Sequence, residues 1–504
     1  MLKPDGRSWP LALPPLLLAA GLALWSLGFG LPFLFRPDED VMVGRAVRMA
    51  AQGSLDPLFA NYPPLVFYLL AGVEKAVALA GGGNLHAATG DPSTAYLAGR
   101  ALSAAAAVTA VGMTFWAGRQ AYGAAAGLVA AALLAAAPLA VRQAHFATTD
   151  GVQAALVAGA LAAGLKARGA RGFAVAGAMA GLAAAAKYSG GLALVFVVVL
   201  ALAGARPRRR ACLAAVAGAA VAFAVPCLVV LWHLHGYVSG LGFLGRNLVG
   251  RGGHLPPGWV FHTTVTLPFG LGLGAYAMAV AGALLAAWRR RAVDVALLAF
   301  AVAYLGVTGA GHEDFFRYEL PLLPALAILA GGLLAAVPGR WVPAAVAAAL
   351  LLAAPSLYAS VETDRLLGTE DTRALAAAWM SANLPPGTAV RAPYYASPFY
   401  GPAQVRANLR WVSDPLAASY AQGRYTRRFE VTERPGPHVR LLASGPPWQA
   451  PLPAARHPLF TIAAYSGVPP RGGVYDPLDS FWVPIWGFAG IDRPGPSISI
   501  IRTP

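Results

Sequence analysis

Residues 63–83 read PPLVFYLLAGVEKAVALAGGG, and the fold depends on whether this stretch crosses a membrane. It is long enough, since about 20 mostly apolar residues span a bilayer core. Yet Glu74 and Lys75 stand in its middle, where charge is costly. Counting it as a span also moves every later span to the opposite side. The charges that follow decide the matter. If residues 63–83 do not cross, then Arg119, the group Lys166, Arg168 and Arg171, the run Arg206-Pro-Arg-Arg-Arg210, Arg289 to Arg291, and Arg340 all fall in cytoplasmic loops. That satisfies the positive-inside rule at every cluster. If they do cross, every cluster lies outside. The stretch therefore reads as a juxtamembrane or re-entrant helix, which is tolerable where protein or a water-filled cavity covers it.

The composition agrees with a membrane setting. Of 504 residues, 57% are hydrophobic and 12% charged, with mean hydropathy +0.57. A soluble domain carries roughly 25% charge, so an ordinary soluble enzyme, a disordered chain and a nucleic-acid reader are excluded. The net charge of +16 sits in short clusters between apolar runs, which is a membrane pattern. Cys212 and Cys227 share one apolar run, which leaves no cysteine zinc cage or disulfide framework. The Ala- and Gly-rich, arginine-dominated chain reads as bacterial and places the protein in the inner (plasma) membrane.

The first span runs from about Pro10 to Phe35, preceded by Lys3 and Arg7, so its N-terminus is expected in the cytoplasm. A cleaved signal peptide is the alternative; the length of the run and the spans that follow weigh against it. Further apolar runs begin near Tyr96, Ala124, Gly151, Gly172, Gly191, Ala211, Thr263, Ala292, Glu319 and Trp341. The expectation is a polytopic α-helical membrane protein with about eleven spans over residues 1–360. Residues 361–504 are expected to form a C-terminal extracytoplasmic α/β globular domain, with a helix over Asp371–Asn383 and strands near 388–391, 439–442, 459–464 and 498–501. The Gly-x-x-x-Gly spacing of Gly177 and Gly181 suits close helix packing, but in so Ala-rich a chain it says little.

The chemistry-bearing residues collect on the outside face. Arg36-Pro-Asp38-Glu39-Asp40 follows the first span. It reads either as a solvated loop with Asp38 capping a helix, or as a general base or metal ligand at the mouth of a cavity. Arg45 and Arg48 follow on one face of that helix, where they could pair with an anion. Asn61-Tyr62-Pro63-Pro64 is a turn, or Tyr62 bonds a phosphate or sugar. Arg142, His145 and Asp150 lie between two spans; Asp150 is a helix cap or a second acid. Lys187 sits at an outside turn and either snorkels to the interface or faces a lipid phosphate. Arg317 is another outside cation. His312 with Glu313 or Asp314 reads as a loop, or as metal-linked. His233, His235, His254 and His262 lack zinc-site spacing.

Taken in order, the motifs PDED after the first span, YPPL, RALSAAAAVTAVGMTFWAGRQAYG, APLAVRQAHFATTDGVQAAL, GLAAAAKYSGGLAL, FRYELPLLPALAILAGG and DTRALAAAWMSANLPPGTAV resemble membrane glycosyltransferases of the C superfamily. The resemblance is to bacterial relatives of the protein O-mannosyltransferases and of the lipid A aminoarabinose transferase. It covers residues 10–390 in outline. It implies the glycosyltransferase C type of fold and transfer of a sugar from a polyprenyl-phosphate donor, such as undecaprenyl phosphate, outside the cytoplasm. The acceptor is a lipid, glycan or protein group.

The resemblance also implies roles for residues. The first-loop acid, Asp38 or Glu39, is the general base, and Asp150 is the second outside acid. Lys187 and Arg317 hold the donor phosphate. Many members carry a lysine where Tyr62 stands here. Arg45, Tyr62, His145 and His312 are further candidates. A single base implies inversion at the sugar carbon, unlike the covalent route of retaining glycosidases. No cofactor is required, although neighbouring acids could hold Mg²⁺ or Mn²⁺. The competing readings are a flippase or transporter for a lipid-linked sugar, and a non-catalytic membrane scaffold that binds glycan.

Overall fold

The computed structural model describes residues 9–31, 35–36, 38–81, 93–204, 207–250, 256–311, 315–383, 389–391, 440–441, 459–464, 473–478, 481–495 and 498–503. The helices in chain order are α1 (Leu13–Leu24), α2 (Glu39–Gln52), α3 (Leu65–Ala80), α4 (Ser93–Tyr122), α5 (Ala124–Ala135), α6 (Pro138–Ala144), α7 (Thr149–Lys166), α8 (Gly169–Ala186), α9 (Ala193–Gly204) and α10 (Arg208–Ala224). They continue as α11 (Leu234–Gly250), α12 (Gly258–Phe261), α13 (Leu267–Leu271), α14 (Leu273–Arg289), α15 (Ala292–Thr308), α16 (Leu323–Gly331), α17 (Val342–Leu367) and α18 (Thr372–Asn383).

Among the described residues, four helical segments are long and apolar enough to cross a membrane: 93–122, 169–186, 316–336 and 339–376. Three bent pairs raise the number to seven, against the eleven read from the sequence. The segments Trp9–Leu24, Tyr188–Gly204 and Ala292–Thr308 are apolar but shorter. The protein is a multi-pass membrane protein. The stretch that opened the sequence argument forms α3, at 16 residues about 24 Å long and so shorter than a bilayer core. Glu74 on α3 is buried, and its Oε1 has no hydrogen-bond partner among the described residues. Burial pushes its carboxyl up to about 8, because the charged form loses its water.

Three apolar runs that read as straight spans are broken, the one from Ala124 by 61° between α5 and α6. The run beginning near Thr263 turns by 118° between residues 258–271 and 273–289. The turn is at Gly272, with φ 94° and ψ 141°, a conformation nearly closed to residues with a Cβ. The run after Ala211 bends by 62° at Pro226 and continues as helix through α11.

Contacts divide the chain into two compact units, each discontinuous in sequence. The first comprises residues 1–25, 59–68 and 100–362; the second comprises residues 26–58, 69–99 and 363–504. The first unit is a helical bundle built on small residues. Gly177 and Gly181 of α8 lie directly on the backbone of Ala215 and Ala219 of α10, and Gly218 of α10 lies on Ala174 of α8. Gly282 of α14 meets the Leu329 carbonyl, and Gly331 meets that of Ala126 on α5. In lipid the hydrophobic effect does not drive helices together, so close van der Waals approach must do so. That gives the abundant Ala and Gly a physical role.

The second unit contains a four-stranded sheet in the order β2-β1-β3-β4. Its strands are β1 (Ala389–Arg391), β2 (Arg440–Leu441), β3 (Leu459–Ala464) and β4 (Ile498–Thr503). β1 runs parallel to β2 and β3, and β3 pairs antiparallel with β4. The same unit ties the segment after α1 to the C-terminal region. Phe29 meets Phe481 edge-on at 5.5 Å, and the Arg373 guanidinium lies 4.3 Å over the Phe35 ring.

Candidate functional site

Within the bundle, three chain segments converge on Lys187. This residue ends α8 in an extended conformation, φ −159° and ψ 134°, which turns the chain from α8 into the 3₁₀ segment Tyr188–Leu192. Its Nζ donates to Asp150 Oδ1 at 2.6 Å, with side chains 12% and 3% exposed. A buried ion pair of this kind must be well bonded to exist at all. Asp150 stands in the first turn of α7, where the helix N-terminus favours a carboxylate. Thr148, at the N-cap position of α7, makes no side-chain cap.

Two aromatic rings complete the surroundings of the ammonium. Tyr318 lies 4.8 Å from Nζ and Tyr62 lies 5.8 Å from it, close enough for cation–π attraction. The Tyr62 ring is set by Phe59 at 5.6 Å. Arg317, next to Tyr318, is 7% exposed with its guanidinium 4.0 Å over the Phe315 ring. Asp150, Lys187 and Tyr62 are thus brought together, with Arg317 on the chain segment that carries Tyr318. A patch of fixed cations and hydroxyl-bearing rings can take an anionic head group.

His145 is fully buried, and its two ring nitrogens face the carbonyl oxygens of Val141 at 2.9 Å and Trp25 at 2.7 Å. The ring therefore ties the end of α6 to the end of the first apolar helix. His312 lies outside the described residues.

The second unit holds the other acids. Asp38 occupies the N-cap position of α2 with φ 73° and makes no side-chain cap. A left-handed Asp is uncommon, and it leaves the carboxyl out of the capping role that the sequence allowed. Glu39 begins the helix and is fully buried. Arg45 and Arg48 are buried on the same helix. Arg45 Nη1 donates to the Val41 carbonyl at 3.3 Å. Arg48 donates to Gln52 Oε1 at 3.0 Å and to the Asp56 carbonyl, which closes the loop after the left-handed Gly53 cap. Among the described residues no three His, Cys, Asp or Glu side chains converge as a metal site would require.

Several buried polar contacts were not read from the sequence. Glu319 and His262 are fully buried with Oε1 and Nε2 3.8 Å apart, and Thr308 Oγ1 donates to Glu319 Oε1 at 2.6 Å. An ionisable residue inside an apolar run is the signal that marks such a pair. Gln153 Nε2 donates to Ser189 Oγ at 2.8 Å, and no motif announces that contact.

Comparison with known proteins follows the same line. Residues 92–233, which include Asp150 and Lys187, match the family described as dolichyl-phosphate-mannose-protein mannosyltransferase. By whole-chain sequence, no curated protein matches. The fold is similar to that of the Archaeoglobus fulgidus oligosaccharyltransferase in its apo form, with TM-score 0.50 and 14% identity over 75% of this chain and 58% of that one. ArnT from Cupriavidus metallidurans in the apo state gives 0.48 and 20% over 82% and 75%. The chain therefore spans less than two thirds of the archaeal protein. The resemblance to C-superfamily glycosyltransferases that the motifs carry is found in both the sequence match and the fold.

Proposed function

We propose that this protein is a membrane glycosyltransferase that moves a sugar from a polyprenyl-phosphate donor to an acceptor hydroxyl or similar group on the extracytoplasmic side, with inversion. The observation that carries the reading is the buried Asp150–Lys187 pair flanked by Tyr62 and Tyr318, inside the segment that matches a family described by a lipid-phosphate-linked sugar. Lys187 and Arg317 hold the donor phosphate. As the bond from the anomeric carbon to the phosphate oxygen breaks, these cations stabilise the charge left on the lipid phosphate. Asp150 holds Lys187 in place.

The acceptor oxygen forms the new bond to the anomeric carbon, and its proton passes to a carboxylate. Asp38 or Glu39 is that base. The left-handed backbone at Asp38 favours Asp38, since such conformations concentrate at functional sites. Arg45 remains a candidate for a donor phosphate oxygen, and His145 remains a further candidate. A divalent cation would be held by the first-loop acids.

The test is transfer of radiolabelled sugars from polyprenyl phosphate in membranes, comparing wild type with Asp38→Asn, Glu39→Gln and Asp150→Asn at matched expression. Transfer lost in one first-loop variant supports the reading. No transfer from any donor, with mutation-sensitive movement of the lipid across the bilayer, moves the function to a flippase.

A further inference from the structure

One buried hydroxyl holds the chain segment that faces the Lys187 ammonium. Tyr304 on α15 is 1% exposed. Its hydroxyl donates to the Tyr318 carbonyl at 3.0 Å. Separately, Gln153 Nε2 donates to Ser189 Oγ at 2.8 Å and joins α7 to the segment that follows Lys187.

These residues are close in the chain to the site. Gln153 is three residues beyond Asp150 on α7 and so shares its helix face. Ser189 is two residues beyond Lys187. Tyr318 faces the ammonium itself and follows Arg317. One helical turn past Tyr304, Thr308 bonds Glu319, which fastens the segment Phe316–Leu322 to the same helix a second time.

We infer that Tyr304 is a positioning residue that sets the Arg317–Tyr318 segment at the distance from the Lys187 ammonium that a lipid phosphate requires, while the Gln153–Ser189 bond steadies the Lys187 segment. The inference rests on the proposed reading of Lys187 and Arg317 as phosphate ligands. A lysine on a flexible stem stabilises charge efficiently only when its direction is fixed beforehand. Without the Tyr304 hydroxyl, the Tyr318 carbonyl loses its donor.

The experiment uses the full-length protein in nanodiscs. Donor KM and kcat are measured for wild type, Tyr304→Phe and Ser189→Ala, together with inhibition by farnesyl phosphate, which carries the lipid phosphate and no sugar. Tyr276→Phe is the control, since it removes a similar bond from a tyrosine hydroxyl to the Thr263 carbonyl, 3.0 Å long. The expected result is a roughly 10-fold rise in donor KM and in the farnesyl phosphate inhibition constant for Tyr304→Phe, the size of one lost hydrogen bond. Changes in kcat should stay small, Ser189→Ala should shift KM in the same direction, and Tyr276→Phe should leave KM unchanged. If farnesyl phosphate competes equally well in wild type and in both site variants, the positioning role is overturned and the phosphate reading stands. If it fails to compete in wild type, both are overturned.

Discussion

Replacing Lys187 with methionine separates a structural ion pair from a functional one. Lys187 Nζ and Asp150 Oδ1 are 2.6 Å apart with both side chains largely buried. At an effective dielectric of about 20 their attraction is roughly 6 kcal/mol before desolvation is subtracted. Desolvation consumes most of it, so the intact pair contributes little net stability, whereas removing one partner strands a buried carboxylate at a cost of about 3–5 kcal/mol. Lys187→Met should therefore lower the thermal midpoint in detergent by on the order of 5 °C and abolish transfer. The informative variant is Lys187→Met combined with Asp150→Asn. It removes both charges while keeping similar volumes, so the midpoint should return to within about 1–2 °C of wild type. Transfer should stay at least about 100-fold down, because the leaving phosphate still lacks its cation. Recovery of transfer along with stability in the double variant would refute the argument, since the pair would then serve only to hold the bundle together.

Other consequences can be checked with the same preparations. Asp38→Asn or Glu39→Gln should lower transfer by about 10²–10⁴, the usual worth of a general base, with the thermal midpoint measured alongside. Because the Glu74 carboxyl is raised to about 8, the folded protein binds more protons than the unfolded one between its ordinary value and about 8. Stability should therefore fall as pH rises through that window, by at most about 1.4 kcal/mol per pH unit, and thermal melts of Glu74→Gln should show a flatter profile. Gly177→Leu should cost at least about 1–3 kcal/mol by forcing α8 off α10. Gly306→Ala has open space around its added methyl and should be neutral, or stabilising by up to about 1 kcal/mol, in the same melts.

Much of the helical order was legible in the sequence, because a helix that must satisfy its own backbone in lipid leaves a long apolar run. Runs beginning near Tyr96, Ala124, Gly172, Ala292 and Trp341 correspond to α4, α5, α8, α15 and α17. Hydropathy does not report direction, so the 118° turn at Gly272 and the bend at Pro226 had no counterpart in the apolar pattern. Asp150 and Lys187 were legible because a charge beside an apolar run stands out. Their pairing was not, since 37 residues separate them. Tyr304, Gln153 and Ser189 were hidden for a related reason: a tyrosine, a glutamine and a serine in a long chain carry no signal until folding brings each to its partner.

By itself, the sequence determined that this is a membrane protein of many apolar helices, with its acids and lone cations at the ends of those helices. Charge and hydropathy are one-dimensional properties with a large energetic penalty for misplacement. Tertiary structure alone decided three further points. It turned the weak Gly177–Gly181 spacing into backbone contact with α10. It drew the segment after α1 into one compact unit with the C-terminal region. It also surrounded Lys187 with Asp150, Tyr62 and Tyr318. Each of these depends on which helices pack side by side, a choice set by close-range fit among many small contacts that no local run of residues encodes.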